Sequence, residues 1–86
     1  MTVKSQKILR EIRQARGRRL AEARTKRGLT QEALARRIKS RKTSGTLSAS
    51  AISLFERGRT SFTETIAKRV AKAVRVDVNW LMKEAA

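Results

Sequence analysis

Two stretches of this 86-residue chain decide its fold: GLTQEALA at residues 28–35 and LSASAISLFERG at residues 47–58. Near its start, each stretch has a hydroxyl residue that can cap a helix, Thr30 in the first and Ser48 in the second. Apolar side chains then recur at helical spacing, and Gly58 supplies the left-handed conformation that commonly ends a helix. The sequence therefore predicts two short helices in succession, joined by a polar segment.

The segment before these two helices is also helical in pattern, and it is strongly basic. Residues 1–16 place Ile8, Ile12 and Ala15 on one helical stripe, and they carry five basic residues against a single acidic one. A second helical pattern follows over residues 18–26 and ends at a glycine. The amino-terminal part is thus predicted to be a basic helical arm followed by a helix of the domain.

The segment after the two helices predicts one longer helix and one short one. Apolar residues recur at a spacing of four between residues 66 and 74, and either Asp77 or Asn79 can cap a last helix. Trp80 and Leu81 are expected to close the core. Strand signals are weak, because the longest apolar alternation is too short to build a sheet. The predicted fold class is therefore all-α, with four to five short helices.

Composition indicates the class of partner and argues against catalysis. The chain has 22 Lys and Arg against 7 Asp and Glu, a formal charge of +15 and a pI near 11.9, which favours a polyanionic partner. It has no His and no Cys, so the usual zinc ligands, the common general base and any thiol nucleophile are missing. We expect no enzyme activity, no cofactor, no metal, no membrane span and a cytoplasmic location.

Two short helices joined by a turn in a basic all-helical domain have the layout of a helix-turn-helix. The two stretches, together with AKAVRV at 71–76 and NWL at 79–81, resemble the phage-repressor-like (lambda repressor-like, XRE/Cro-type) helix-turn-helix family of bacterial regulators. The resemblance covers roughly residues 18–82. It implies a helix-turn-helix DNA-binding domain over residues 18–86, preceded by a basic arm or helix extension over residues 1–17.

The resemblance also implies which residues bind DNA. Gln31, at the start of the first motif helix, meets a phosphate, and the exposed face of the second motif helix enters the major groove. Leu54 either contacts a base or belongs to the core, and both readings stay open at this stage. Arg24 and Glu56 match a partly buried, structural ion pair. The full set of expected DNA-binding residues is Gln31, Arg41, Lys42, Ser48, Ala49, Ser50, Ser53, Leu54, Arg57 and Arg59.

The chain departs from the family pattern in two places. The turn between the motif helices is enlarged at residues 39–46 and is itself basic, with Arg41 and Lys42. This insertion is expected to be either a mobile surface loop or an additional DNA contact, to a phosphate or as a finger that reaches into a groove. Phe62 stands where the family often has a proline, and we expect it to change only the loop.

These features predict a sequence-specific transcriptional regulator that binds double-stranded DNA and represses by promoter occlusion. The implied form is a homodimer on a palindromic operator, with the arm or the last helix as candidate dimer contacts and a bacterial or phage origin. The arm can instead be a solvated helix or a DNA-backbone contact. Two alternatives remain: an antitoxin that regulates its own operon and binds a toxin or other antagonist protein, and a non-specific nucleoid or RNA-binding protein.

Overall fold

The computed structural model describes residues 3–38 and 48–83, with side chains from residue 6 onward. Within these ranges the regular elements are five α-helices and no strand, which confirms the all-α prediction. The enlarged turn predicted at 39–46, with Arg41 and Lys42, lies outside the described residues. The helices are α1 (Val3–Lys26), α2 (Gln31–Ile38), α3 (Ala49–Glu56), α4 (Glu64–Ala73) and α5 (Val78–Met82).

The first helix, α1, runs for 24 residues without interruption and joins the basic arm to the helix predicted over 18–26. Gly17 lies in its interior, where a glycine ordinarily weakens a helix. This glycine is buried against the end of α3: a Cβ at this position would lie 2.2 Å from the carbonyl oxygen of Phe55 and 2.5 Å from that of Glu56. Only a residue without a side chain permits this approach, so Gly17 allows α1 to pack closely against α3.

Local hydrogen bonds begin and end the helices largely as the sequence predicts. The hydroxyls of Thr30 and Ser48 each accept a bond from the amide three residues along, at 3.0 and 3.1 Å. Of the two candidates for α5, Asp77 is the cap, because its carboxylate accepts a bond from the amide of Asn79 at 2.7 Å. Gly58 follows α3 with a φ of 72°, in the left-handed region.

The core lies where the helices meet, and it corrects two of the expectations. Phe62 is buried, and its ring centroid lies 4.6 Å from that of Phe55, so it is a core residue and does more than alter a loop. Trp80 does not close the core: it is 39% exposed, whereas its neighbour Leu81 is fully buried. The largest fully buried side chains are Leu20, Leu34, Ile52, Val70, Val74 and Leu81.

Two arginines of α1, and Arg27 just beyond it, bind the carboxyl-terminal ends of the last two helices. Arg16 donates from Nε to the carbonyl of Met82 at 3.0 Å, and Arg19 donates to neighbouring carbonyls at the same end of α5. Arg27 donates from Nε to the carbonyl of Val74, just beyond α4, at 3.3 Å. Cations are favoured at these helix ends, where carbonyl groups have no partner within the helix. Part of the basic charge is therefore structural.

Candidate nucleic-acid interface

One open groove lies between the start of α2 and the outer face of α3. It has a volume of about 380 Å³, and Ser50 and Leu54 on its α3 side are exposed. The small side chains in the first turns of α3 leave the backbone of that helix accessible to a large partner. Among the described residues, those that line the groove all belong to the set expected to bind DNA: Gln31, Ala49, Ser50, Ser53, Leu54 and Arg57.

Leu54 lies at the surface, which removes one of the two readings left open by the sequence. The buried face of α3 is formed by Ile52 and Phe55, which are 0% and 6% exposed. Leu54 is 37% exposed and lines the groove. Its side chain therefore presents an apolar surface next to the hydroxyls of Ser50 and Ser53.

Ser48 has a local structural task at the start of α3. It is exposed, and its Oγ accepts the hydrogen bond that caps the helix. A serine hydroxyl also carries one proton that it can donate. The cap thus leaves Ser48 able to donate a hydrogen bond to a phosphate or a base edge.

Glu56, the last residue of α3, accepts hydrogen bonds from two other helices. Arg24 donates from Nε to Oε2 at 2.6 Å and from Nη2 to Oε1 at 3.0 Å, a bidentate pair, and its Nη1 donates to the carbonyl of Leu29 at 2.8 Å. The side chains of Arg24 and Glu56 are only 18% and 8% exposed. The hydrogen bond to Glu56 raises the pKa of Arg24, against the opposing effect of burial. This ion pair links α1 to α3.

Gln31 is the second contact of Glu56. Its Nε2 donates to Oε1 at 3.1 Å, which fixes the side chain at the start of α2. A side-chain amide nitrogen carries two protons, so the second N–H is available for another acceptor. Glu56 therefore positions Gln31, to which the family resemblance assigns a phosphate contact, in addition to its bond with Arg24.

Arg57 and Arg59 are exposed and come directly after α3. Arg57 lines the groove with Ser50 and Ser53, so a cation borders the hydroxyls on the outer face of α3. Arg57 and Arg59 also line a second cavity, on the side of α3 where α1 passes. The other two expected basic contacts, Arg41 and Lys42, lie outside the described residues.

How closely α1 approaches the carboxyl-terminal end of α3 was not predicted from the sequence. The signal would have been Gly17, an unexplained glycine inside a helical pattern, which often marks a close backbone approach.

Within residues 3–38 and 48–83, no group of three or more acidic, His or Cys residues is placed to hold a metal ion. The helices in the same ranges include none that is long and apolar enough to cross a membrane.

Comparison with known proteins adds one finding. The family model described as "Helix-turn-helix" matches residues 20–81, which covers α2 to α4, all but the last residue of α5, and the last part of α1. Residues 3–19, the larger part of α1, precede the match. No curated protein and no solved structure shows significant similarity to the chain.

Proposed function

The chain belongs to the helix-turn-helix family of DNA-binding transcriptional regulators, and from this we propose that it is a repressor that recognises a specific duplex sequence through α3. The observation that carries the proposal is the groove beside α3, which is open to solvent and whose described lining residues all belong to the set expected to bind DNA. A net charge of +15 supports the affinity for a phosphate backbone.

In the proposed complex, the outer face of α3 lies in the major groove and reads base edges. Ser50 and Ser53 donate or accept hydrogen bonds, and Ala49 and Leu54 offer apolar contact to a thymine methyl group. Gln31 and Ser48 donate to phosphates at the two helix starts. Contacts of this second kind set the register and carry no sequence information. The cations that hold the sugar-phosphate backbone are Arg57 and Arg59, with Arg41 and Lys42 as the proposed contribution of the enlarged turn.

Repression by promoter occlusion is the proposed mechanism, with two copies on a palindromic operator. A single α3 offers few groups that read bases, so one copy has limited specificity, and a dimer doubles the contacts. Large apolar side chains exposed in α1 and α5 support a protein contact: Ile8 is 51% exposed, Leu9 41% and Trp80 39%. A role as an antitoxin keeps the same DNA contacts and adds a toxin, which would co-purify with the protein from its native host.

The test begins with selection of bound duplexes from a random pool, followed by affinity measurements on the selected sequence. We expect the protein to prefer the selected duplex over random DNA by about 10³-fold or more. In the Ser50→Glu variant, the bulk and negative charge at the centre of the groove should reduce binding of the selected duplex to the level of random DNA. Fluorescence anisotropy measures both affinities.

The matched control is Thr65→Glu, which adds the same charge at an exposed position of α4. This variant should retain most of the wild-type preference. Equal affinity of the wild-type protein for selected and random duplexes would support a packaging protein instead. Near-normal binding by Ser50→Glu would show that α3 does not enter the groove of the DNA.

A further inference from the structure

A second cavity, of about 650 Å³ and open to solvent, lies between α1 and the segment that follows α3. Four of its six described lining residues are arginines, and none of the six carries a carboxylate. Two of these arginines come from the part of α1 that precedes the family match at residues 20–81. The lining residues are Arg10, Arg13, Gln14, Arg57, Gly58 and Arg59.

One guanidinium nitrogen of a residue that lines this cavity has no hydrogen-bond partner within residues 3–38 and 48–83. The Nε of Arg13 is buried, yet it donates to no acceptor in the structure. A buried donor without an acceptor is unfavourable, and more so when the donor is charged. Arg13 thus carries a buried N–H that no acceptor in the described part of the chain satisfies.

Backbone packing holds the four cations together, although they repel one another. A Cβ at Gly58 would lie 2.6 Å from Cγ and 2.9 Å from Cα of Gln14, so α1 contacts the turn after α3 directly. Gly17, one turn further along α1, makes the close contact with the end of α3 described above. These two contacts set the position of α1, and side chains of Arg10 and Arg13 share the cavity as a consequence.

The local charge balance favours an anion in this cavity. The carboxyl-terminal end of α3 contributes the equivalent of about half a negative charge, which offsets only a small part of four positive charges. The planar guanidinium group presents paired donors that match the oxygens of a phosphate. A phosphate group is therefore the ligand that the chemistry of the lining residues fits best.

We propose that this cavity binds a backbone phosphate of the same duplex that α3 reads, with Arg10 and Arg13 of α1 joining Arg57 and Arg59. The inference rests on the proposed function. Continuity supports DNA as the source of the phosphate, because Arg57 lines both this cavity and the groove beside α3. The basic arm thereby becomes part of the DNA interface and extends it beyond the residues that match the family.

The test compares two double variants that remove the same charge. Arg10→Gln with Arg13→Gln empties the cavity of its α1 cations, and Arg18→Gln with Lys72→Gln removes two exposed cations that do not line it. Anisotropy at several salt concentrations gives the slope of log K against log salt for the selected duplex. We expect the cavity variant to lose about 0.9 from this slope, equivalent to one phosphate contact, and to bind about tenfold more weakly at 0.1 M salt. The control should retain the wild-type slope.

Two further measurements make the result independent of folding and of the source of the phosphate. Thermal unfolding followed by circular dichroism establishes that each variant is folded, and Arg10→Gln alone, at an exposed position, gives the same test if the double variant unfolds. The NMR signal of the Arg13 Nε–H in the wild-type protein should shift when the selected duplex is added. No shift of this signal would contradict the proposal.

The outcomes separate this inference from the proposed function. If the wild-type protein prefers its selected duplex while the cavity variant and the control share one slope, the inference is wrong and the proposed function stands. If inorganic phosphate shifts the Arg13 signal and the slopes are equal, the cavity binds a small phosphate ligand, and DNA as the occupant is ruled out. Failure of the wild-type protein to bind any duplex overturns both proposals.

Discussion

Glu56 is the residue on which the geometry of the candidate interface most depends. It is the last residue of α3, and its carboxylate accepts hydrogen bonds from Arg24 of α1 and from Gln31 of α2. One buried carboxylate thus links the three helices that form or support the groove. The pair is protected from solvent, so loss of either partner leaves a charge without compensation in a poorly solvated position.

We predict that Glu56→Ala lowers the free energy of unfolding by about 3 kcal/mol, because Arg24 then loses its buried counter-ion. The raised pKa of Arg24 means that the stabilisation from its charge is fully present below its ordinary pKa. This stabilisation is lost only as the pH rises through the pKa of Arg24 in the folded state. A measurement at neutral pH therefore records the whole effect. Urea unfolding gives the free energy directly.

The control for this prediction is Glu22→Ala. Glu22 pairs with Lys26 at 3.9 Å on the surface of α1, and its side chain is 62% exposed. Exposed pairs of this kind contribute from about 0 to 1 kcal/mol. Equal losses in the two variants would contradict the structural role of Glu56.

At the scale of the helices, the packing of α1 on α3 decides where the basic arm lies. Gly17 allows the backbones of the two helices to come into contact. A Cβ added at Gly17 would lie only 2.2 Å from the carbonyl oxygen of Phe55. The ion pair of Glu56 lies at the same end of α3. Because α3 carries the proposed base contacts, a displacement of α1 also displaces the interface.

We predict that Gly17→Ala destabilises the protein by about 2 kcal/mol or more, because the added methyl group overlaps backbone atoms that cannot rotate away. The ordinary effect of this change inside a helix is a gain of about 1 kcal/mol, so the expected sign is opposite to the one that helix propensity gives. Thermal or urea unfolding measures the difference.

Gly28→Ala is the appropriate comparison. A Cβ at Gly28 has no atom within 4 Å, but its φ of 67° is unfavourable for alanine, at a cost of about 1 kcal/mol. Gly17→Ala should therefore be the more damaging of the two. The reverse order would argue against the close contact of α1 with α3.

At the scale of the whole molecule, size and charge bear on how the protein engages DNA. The described chain extends over 40 × 28 × 20 Å, close to one turn of duplex along its longest dimension. Its positive charge provides binding to any duplex, and this general affinity does not distinguish one sequence from another. Specific control of a promoter by so small a domain therefore favours two copies on adjacent half-sites.

We predict that the selected duplex is a palindrome and that inserting five base pairs between its halves lowers the affinity toward that for random DNA, about 10³-fold. The insertion turns one half-site by half a helical turn, so a two-fold dimer can no longer contact both. Anisotropy with the original and the lengthened duplex measures the change. An unchanged affinity would indicate that a single copy binds.

Local features allowed the sequence alone to predict the helices, whereas the residues on the outer face of α3 were assigned from the family resemblance. Caps such as Thr30 and Ser48 act on amides three residues away, and the apolar spacing of a short helix depends only on its own residues. Charge and composition, which need no structure, indicated a polyanionic partner, and the family match over residues 20–81 identifies that partner as DNA. Helix caps and apolar spacing depend on residues that are close in the chain, and net charge depends only on the overall composition.

Tertiary packing decided the rest, because those interactions join residues that are far apart in the chain. Arg16 donates a hydrogen bond to the carbonyl of Met82, which is 66 residues away in the sequence. Nothing in the sequence near either residue indicates that this arginine is structural. Trp80 is exposed although its large apolar side chain suggests burial, and Leu81 occupies the core at that end of the molecule. The meeting of Arg10 and Arg13 with the end of α3 likewise depends on how two helices cross, which only the folded chain determines.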